Sequence, residues 1–173
     1  MSTTPDEQVA TLVADLASGN GSTRERARLS LVEIGDPAVP ALVDALGDRR
    51  QVVRWEAAKA LGQIADPAAA PALVGALEDR EFSIRWLAAE GLIALRRAGL
   101  EPLLRALVER PESFALREGA HHVIHDLHHR GGPLEPVLEP VLTALDGAEP
   151  ALAVPWAAEH ALHALAGSEP SAG

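Results

Sequence analysis

The sequence has no cysteine and no tyrosine, and Lys59 is its only lysine. Without cysteine, disulfide bonds, thiolate metal sites and cysteine nucleophiles are excluded. Aromatic residues make up only 3% of the chain, although hydrophobic residues make up 47%. The core must therefore consist mainly of Ala, Leu, Val and Ile. This composition favours closely packed helices, because Ala is small and has the highest helix propensity.

Positive charge is also scarce, with 15 basic against 25 acidic residues and a net charge of −10. Nucleic-acid binding depends on a basic surface that displaces counterions, so no nucleic-acid partner is predicted. No apolar stretch approaches the roughly 18 residues of a membrane helix, and the first residues lack the pattern of a signal peptide. We expect no membrane partner and a cytoplasmic location. Glycine-rich phosphate loops and nucleophile elbows are missing, so no catalytic residue and no enzymatic activity are predicted.

What the sequence does contain is an internal repeat with a period of about 30 residues. Arginine opens the same apolar spacing at Arg24, Arg54, Arg85 and Arg117, and Pro155 takes its position in a fifth copy. Apolar residues then recur at intervals of three and four, which places them on one stripe of a helix. After Arg54, for example, the stripe contains Ala57, Ala58, Leu61 and Ile64.

Shorter apolar segments separate these helices, and two of them begin with Asp-Pro, at Asp36 and Asp66. Asp followed by Pro is a typical helix start. The pattern predicts an all-α solenoid of about five helix pairs forming a single domain over residues 1–166. The predicted repeats are 5–35, 36–65, 66–97, 98–130 and 132–166, followed by a disordered tail over 167–173.

One repeat reads Asp48…Arg54-Trp-Glu-Ala-Ala-Lys-Ala-Leu-Gly-Gln-Ile-Ala-Asp66. It resembles the short bacterial HEAT-like repeats named after phycobilisome lyases, and the resemblance covers roughly residues 6–166. The resemblance implies a superhelix. The family includes scaffolds, bilin lyases and a hydroxylase branch. The resemblance also implies that the arginines belong to a structural ladder. Arg54 and Arg85 each follow an aspartate by six residues, and we expect the carboxylates of Asp48 and Asp79 to accept from these arginines. The predicted ladder residues are Asp48, Arg54, Asp79, Arg85 and Arg117.

In the hydroxylase branch, deoxyhypusine hydroxylase, a His-Glu pair follows the arginine position and holds a di-iron centre. The corresponding pairs here are Glu25-Arg26, Trp55-Glu56, Trp86-Leu87, Glu118-Gly119 and Trp156-Ala157. None of them is His-Glu. Because two irons need facing imidazole and carboxylate ligands, the resemblance does not carry that activity to this chain.

Tryptophan occupies this position at Trp55, Trp86 and Trp156, which are the only tryptophans. The resemblance implies that the three rings face the concave groove of the solenoid, where they would suit a peptide, a protein helix or a flat cofactor. The alternative interpretation is packing, in which each ring fills a wedge between repeats. Tryptophan is also enriched among binding hot spots, so both interpretations stay open.

All seven histidines lie between positions 121 and 163, and five of them fall in REGAHHVIHDLHHRG. Helical spacing puts them opposite the apolar stripe, with His121/His125 and His125/His129 at i, i+4. Such a face can be simply solvated, can bind zinc or iron through His121, His125 and His160, or can sense pH. The repeat register aligns His122 with His160 as a shared column.

The predicted function is a non-catalytic protein–protein interaction, scaffold or assembly-factor module with no cofactor. Its partner would be another protein or peptide segment, and a basic one suits the charge of −10. The alternative is a metal- or cofactor-binding protein that uses the histidine face with zinc or iron. The predicted partner-binding residues are Trp55, Glu56, Lys59, Trp86, Glu90, Glu118, His122, Trp156 and His160.

Overall fold

The structure is a computed structural model, and it describes residues 4–167. Within that range every regular element is helical, which confirms the predicted all-α class. Two 3-10 turns, Asp36–Ala38 and Pro67–Ala69, precede the third and fifth α-helices. The α-helices are α1 Pro5–Asp15, α2 Gly21–Ile34, α3 Val39–Ala45, α4 Gln51–Ile64, α5 Ala70–Ala76, α6 Phe82–Leu95, α7 Arg97–Glu109, α8 Phe114–His129, α9 Glu135–Leu145 and α10 Pro150–Gly167.

One helix pair falls in each predicted repeat range, although the single-domain division itself stays a prediction. The chain forms two compact units, the first ending at Leu95 and the second beginning at Arg96. Gly167, the first residue of the predicted tail, is the last residue of α10. The rest of that tail, 168–173, lies outside the described residues.

The first unit stacks its helix pairs regularly. Its second helices pack in the order α2, α4, α6, and each also packs on the first helix of its own pair. The predicted apolar stripe forms the core, with Leu31, Leu61 and Leu92 fully buried at matching positions. Burial of this stripe supplies most of the stabilisation, because no helix pair can cover its apolar face alone.

The second unit is packed differently. Helix α10 packs mainly on α7 and α9, and α8 packs mainly on α9. The Arg97 guanidinium fixes the end of α10 to the start of α7 by donating to the Leu165 carbonyl over 2.6 Å. The second helices of this unit therefore do not follow the simple stacking order of the first unit.

The two predicted Asp-Pro helix starts behave differently. The Asp66 carboxylate accepts from the Ala68 amide over 2.8 Å and caps its 3-10 turn, as predicted. Asp36 lies inside its own turn, and the residue at the cap position is Gly35, with a φ of 73°. The prediction of an Asp36 cap is therefore wrong, because the left-handed glycine ends α2 and leaves no separate cap position for the aspartate.

Four arginines share one contact at the turn that precedes their helix. Each donates from Nη1 to the backbone carbonyl six residues earlier, where the turn leaves an oxygen without a helical partner. The N···O distances are 2.7 Å for Arg24 to Ser18, 3.0 Å for Arg54 to Asp48 and 3.0 Å for Arg85 to Asp79, and Arg117 makes the same bond to Pro111.

The predicted carboxylate partners need correction. The Asp48 carboxylate accepts from Arg50, and these hydrogen bonds lower the pKa of Asp48 to about 2. Arg54 instead donates to both oxygens of Asp79, in the next repeat, over 2.7 and 3.2 Å. Burial raises the pKa of Asp79, but hydrogen bonds from Arg54 and from the Glu81 amide outweigh burial and leave the pKa below its usual value. Asp79 thus links neighbouring repeats, whereas the Asp48 carboxylate acts within its own turn.

Helices α4 and α6 approach each other closely in the first unit. A Cβ atom added at Gly62 would lie 3.3 Å from the Gly91 Cα atom. A Cβ atom added at Gly91 would lie 3.4 Å from the Gly62 Cα atom and 3.0 Å from a Leu73 methyl group. Since the opposing atoms at Gly62 are backbone, they can give way only if a helix moves.

Replacement of Arg54 by Ala should lower the free energy of unfolding by about 1.5–3 kcal/mol, because hydrogen bonds of a nearly buried charged group are lost. The variant Arg105→Ala is the control, since Arg105 makes only an exposed i, i+4 pair with Glu101 and should change little. Urea titration measures both. The pKa of Asp79 is lowered on folding, so the Arg54 contribution is present above about pH 4 and is lost as the pH falls. An equal loss in both variants would contradict the ladder.

Replacement of Gly62 by Ala should lower the free energy of unfolding by about 1–3 kcal/mol through overpacking of α4 against α6. The control is Gly75→Ala in α5, where a new Cβ atom meets nothing within 4 Å. That control should instead stabilise the helix by about 0.5–1 kcal/mol. Thermal and urea unfolding of the two variants should therefore shift in opposite directions; a shift in the same direction would argue against the close approach.

Candidate functional site

Two aromatic side chains make an exposed pair on α6. Trp86 is 47% exposed, Phe82 is 62% exposed, and their ring centroids lie 6.4 Å apart. Glu90, also exposed, follows at the next i+4 position, so the three residues form one stripe along the helix. Sequence analysis identified Trp86 and Glu90 but missed Phe82, although its i, i+4 spacing from Trp86 was a usable signal.

Trp55 lies on the neighbouring helix α4 and is half-buried. The Lys59 ammonium is 4.8 Å from the centroid of the Trp55 ring, which is the geometry of a cation–π contact. Because α4 and α6 pack side by side, these residues belong to the same helical layer as the α6 stripe. We call this set, Trp55, Lys59, Phe82, Trp86 and Glu90, the α4–α6 surface.

Glu56 does not belong to any accessible surface. It is 5% exposed and accepts from Arg28 Nε over 3.1 Å, with Arg24 Nε at 3.5 Å. Arg28 is equally buried and also donates to Gln63. The partner-binding prediction for Glu56 is therefore wrong, because its carboxylate is needed by the buried guanidinium of α2. Sequence analysis missed Arg28, whose partner lies a full repeat away.

In the second unit, Trp156 and His160 occupy the outer side of α10. Trp156 is 68% exposed and its ring centroid lies 4.4 Å from that of His160. One turn earlier Leu152 is 74% exposed. The three side chains line an open groove of about 830 Å³ between α9 and α10. We call it the α9–α10 groove. Sequence analysis identified Trp156 and His160 but neither Leu152 nor the groove.

The two remaining predicted residues lie on α8. Glu118 is exposed and His122 is half-buried. The predicted column of His122 and His160 requires α8 and α10 to be adjacent, as in a regular stack. The main neighbours of α10 are instead α7 and α9, so the packing that the shared His122–His160 column assumed is not formed.

Two histidines of α8 bind carboxylates of the α9 segment. His121 Nε2 lies 3.0 Å from Asp146 Oδ1, and His128 Nε2 lies 2.7 Å from Glu139 Oε2. The ring of His125 stacks on that of His129 at a centroid distance of 4.0 Å. These contacts give much of the histidine face a structural explanation.

The metal alternative of His121, His125 and His160 is not supported by the geometry. Among residues 4–167, no three His, Asp or Glu side chains are grouped so that they could hold a metal ion. His121 on α8 contacts Asp146, whereas His160 on α10 lies against Trp156. Over the same residues, every helix is too short or too polar to cross a bilayer.

A sequence model of the family of HEAT repeats matches residues 9–93, which contain the regular stack α2, α4, α6. The chain contains HEAT repeats over these residues. The match confirms the predicted solenoid class, and a search of curated protein sequences returned no match.

One solved structure extends the similarity beyond the matched residues. A chain in the structure of the complex of CpcE and CpcF of phycocyanin lyase from Nostoc sp. PCC7120 is 26% identical, with a TM-score of 0.57. The alignment covers 88% of this HEAT-repeat protein and 96% of that chain. It confirms the predicted type of HEAT repeat, that of the phycobilisome lyases. An engineered protein is 22% identical over 91% of this chain and 79% of its own, with a TM-score of 0.48.

Tryptophan fluorescence tests where the three rings lie. Three variants, each retaining one tryptophan and replacing the other two by Phe, should differ in quenching by acrylamide. The protein that retains only Trp156 or Trp86 should be quenched strongly, because both rings are largely exposed, and the one that retains Trp55 more weakly. Weak quenching of Trp86 would restore the interpretation of that ring as packing.

Proposed function

We propose that this HEAT-repeat protein is a non-catalytic assembly factor that binds a protein segment through the α4–α6 surface. The observation that carries the proposal is the exposure of Trp86 beside Phe82 on one helix stripe. The chain has few aromatic residues, and its core is made of aliphatic ones. Adjacent exposed aromatic rings form an apolar patch of the kind that partner proteins cover.

The contacts around this patch suggest how a partner segment would be held. An apolar side chain would pack on Trp86 and Phe82, and a basic side chain would approach Glu90 at the end of the same stripe. Lys59 already lies over one face of the Trp55 ring. A net charge of −10 favours the approach of basic segments over acidic ones.

The similarity to a chain of a two-protein complex also supports an assembly role. That chain comes from the complex of CpcE and CpcF of phycocyanin lyase, and nearly its whole length is covered. By analogy, this protein would work as one member of a complex. Its contribution would be a binding surface, because the His-Glu pairs that serve the hydroxylase branch are missing from every repeat.

The test combines a substitution with site-specific photocrosslinking in the host cell. A benzophenone amino acid at position 86 should crosslink to one discrete partner protein. The same group in place of Asp44, which is exposed on α3, is the matched control and should not. Trp86→Ala should keep the helical circular dichroism spectrum and lose the partner.

Two results would overturn the proposal. Equal crosslinking from positions 86 and 44 would mean that contact at Trp86 is not specific. Loss of helical structure in Trp86→Ala would mean that the ring supports the fold instead of a partner.

A further inference from the structure

The α9–α10 groove has the dimensions and lining of a helix-binding groove. Leu152, Trp156 and His160 follow one another at i, i+4, i+8 and so line one side of α10 over about 12 Å. Pro140 and Ala144 of α9 lie opposite them. The remaining lining consists largely of small side chains, which leaves the large apolar side chains of α10 accessible from outside.

The groove lies in the most one-sidedly charged part of the chain. Residues 131–167 contain no Lys or Arg, and they contain five acidic residues that are all exposed: Glu135, Glu139, Asp146, Glu149 and Glu159. Glu139 and Glu149 are part of the groove lining itself. The rim is therefore negative and the floor is apolar. A complementary occupant has an apolar stripe with basic residues beside it.

We propose that the α9–α10 groove binds an amphipathic helix of a basic protein segment. Apolar side chains of that helix, spaced at i, i+3 or i+4, and i+7, would pack on Leu152 and Trp156. Lysine or arginine residues flanking this stripe would approach Glu139 and Glu149. Two to three helical turns of the partner match the length of the apolar wall.

A second copy of this chain fits the groove poorly. Each copy has a net charge of −10, and the groove rim is acidic in both, so two such surfaces would repel each other. A segment rich in Lys or Arg gains from the same field. Charge complementarity thus favours a different protein as the occupant.

This inference adds a second contact to the proposed function but depends on different residues in the other unit. The test uses a fluorescent peptide of about 18 residues with Leu at amphipathic spacing and Lys elsewhere. One control peptide has Glu in place of Lys, and another has the Leu/Lys composition in an order without an apolar stripe. Binding to the full chain is measured by fluorescence anisotropy, and sedimentation equilibrium reports self-association.

The amphipathic Leu/Lys peptide should bind, and both control peptides should bind at least about tenfold more weakly. Leu152→Ala and Trp156→Ala should each weaken binding about tenfold without changing the helical spectrum, because both side chains are largely exposed. Glu149→Gln should weaken it mainly at low salt. Leu29→Ala, at an exposed leucine of α2, should bind like the unsubstituted protein.

Other outcomes overturn the inference. Unchanged binding in Leu152→Ala and Trp156→Ala would mean that the peptide is attracted only by the overall charge. No binding of the Leu/Lys peptide, or tighter binding of the Leu/Glu peptide, would reject a basic helix as occupant. A dimer that Leu152→Ala abolishes would assign the groove to self-association. None of these results changes the expected crosslinking at position 86, so the two proposals can fail separately.

Discussion

The bond from an arginine guanidinium to a turn carbonyl recurs in four repeats and fixes how each of their second helices leaves its turn. The turn between two helices of a repeat leaves carbonyl oxygens that neither helix can use. Arg54 reaches back six residues to the Asp48 carbonyl and also holds the Asp79 carboxylate of the next repeat. It therefore fixes the second helix to its own turn and to its neighbour. Because the arginine is directed toward the turn, the next residue, about 100° further around the helix, is directed away from it.

That geometry explains why the residue after each arginine is accessible. Glu25, Trp86 and Glu118 are exposed, and Trp55 is half-buried with the Lys59 ammonium over its ring. The close contact at Gly62 and Gly91 brings together α4 and α6, the two helices that carry these tryptophans. The α4–α6 surface is thus a by-product of the two features that hold the first unit together.

Local patterns were enough to predict the helices and the core. Leu31, Leu61 and Leu92 were placed correctly because a stripe at intervals of three and four has a single buried side. Contacts between distant residues were not predictable in the same way. Glu56 looked accessible beside Trp55, but its burial is set by Arg28, and the acceptor of Arg54 is the aspartate of the following repeat. The register of equivalent positions also assumed one stacking order throughout, whereas α10 packs mainly on α7 and α9, which is a property of tertiary contacts.

Because the arginine bonds a backbone carbonyl, the bond constrains the sequence of the turn very little. Every residue type provides a carbonyl, and even Pro111 serves as the acceptor for Arg117. A duplicated repeat consequently contains both the arginine and the carbonyl that it bonds, and this bond requires no matching substitution elsewhere. In the four repeats that keep the arginine, divergence of the turn residues is then tolerated. The residue that follows the arginine is not constrained by this bond, so it can be acidic in one repeat and tryptophan in another.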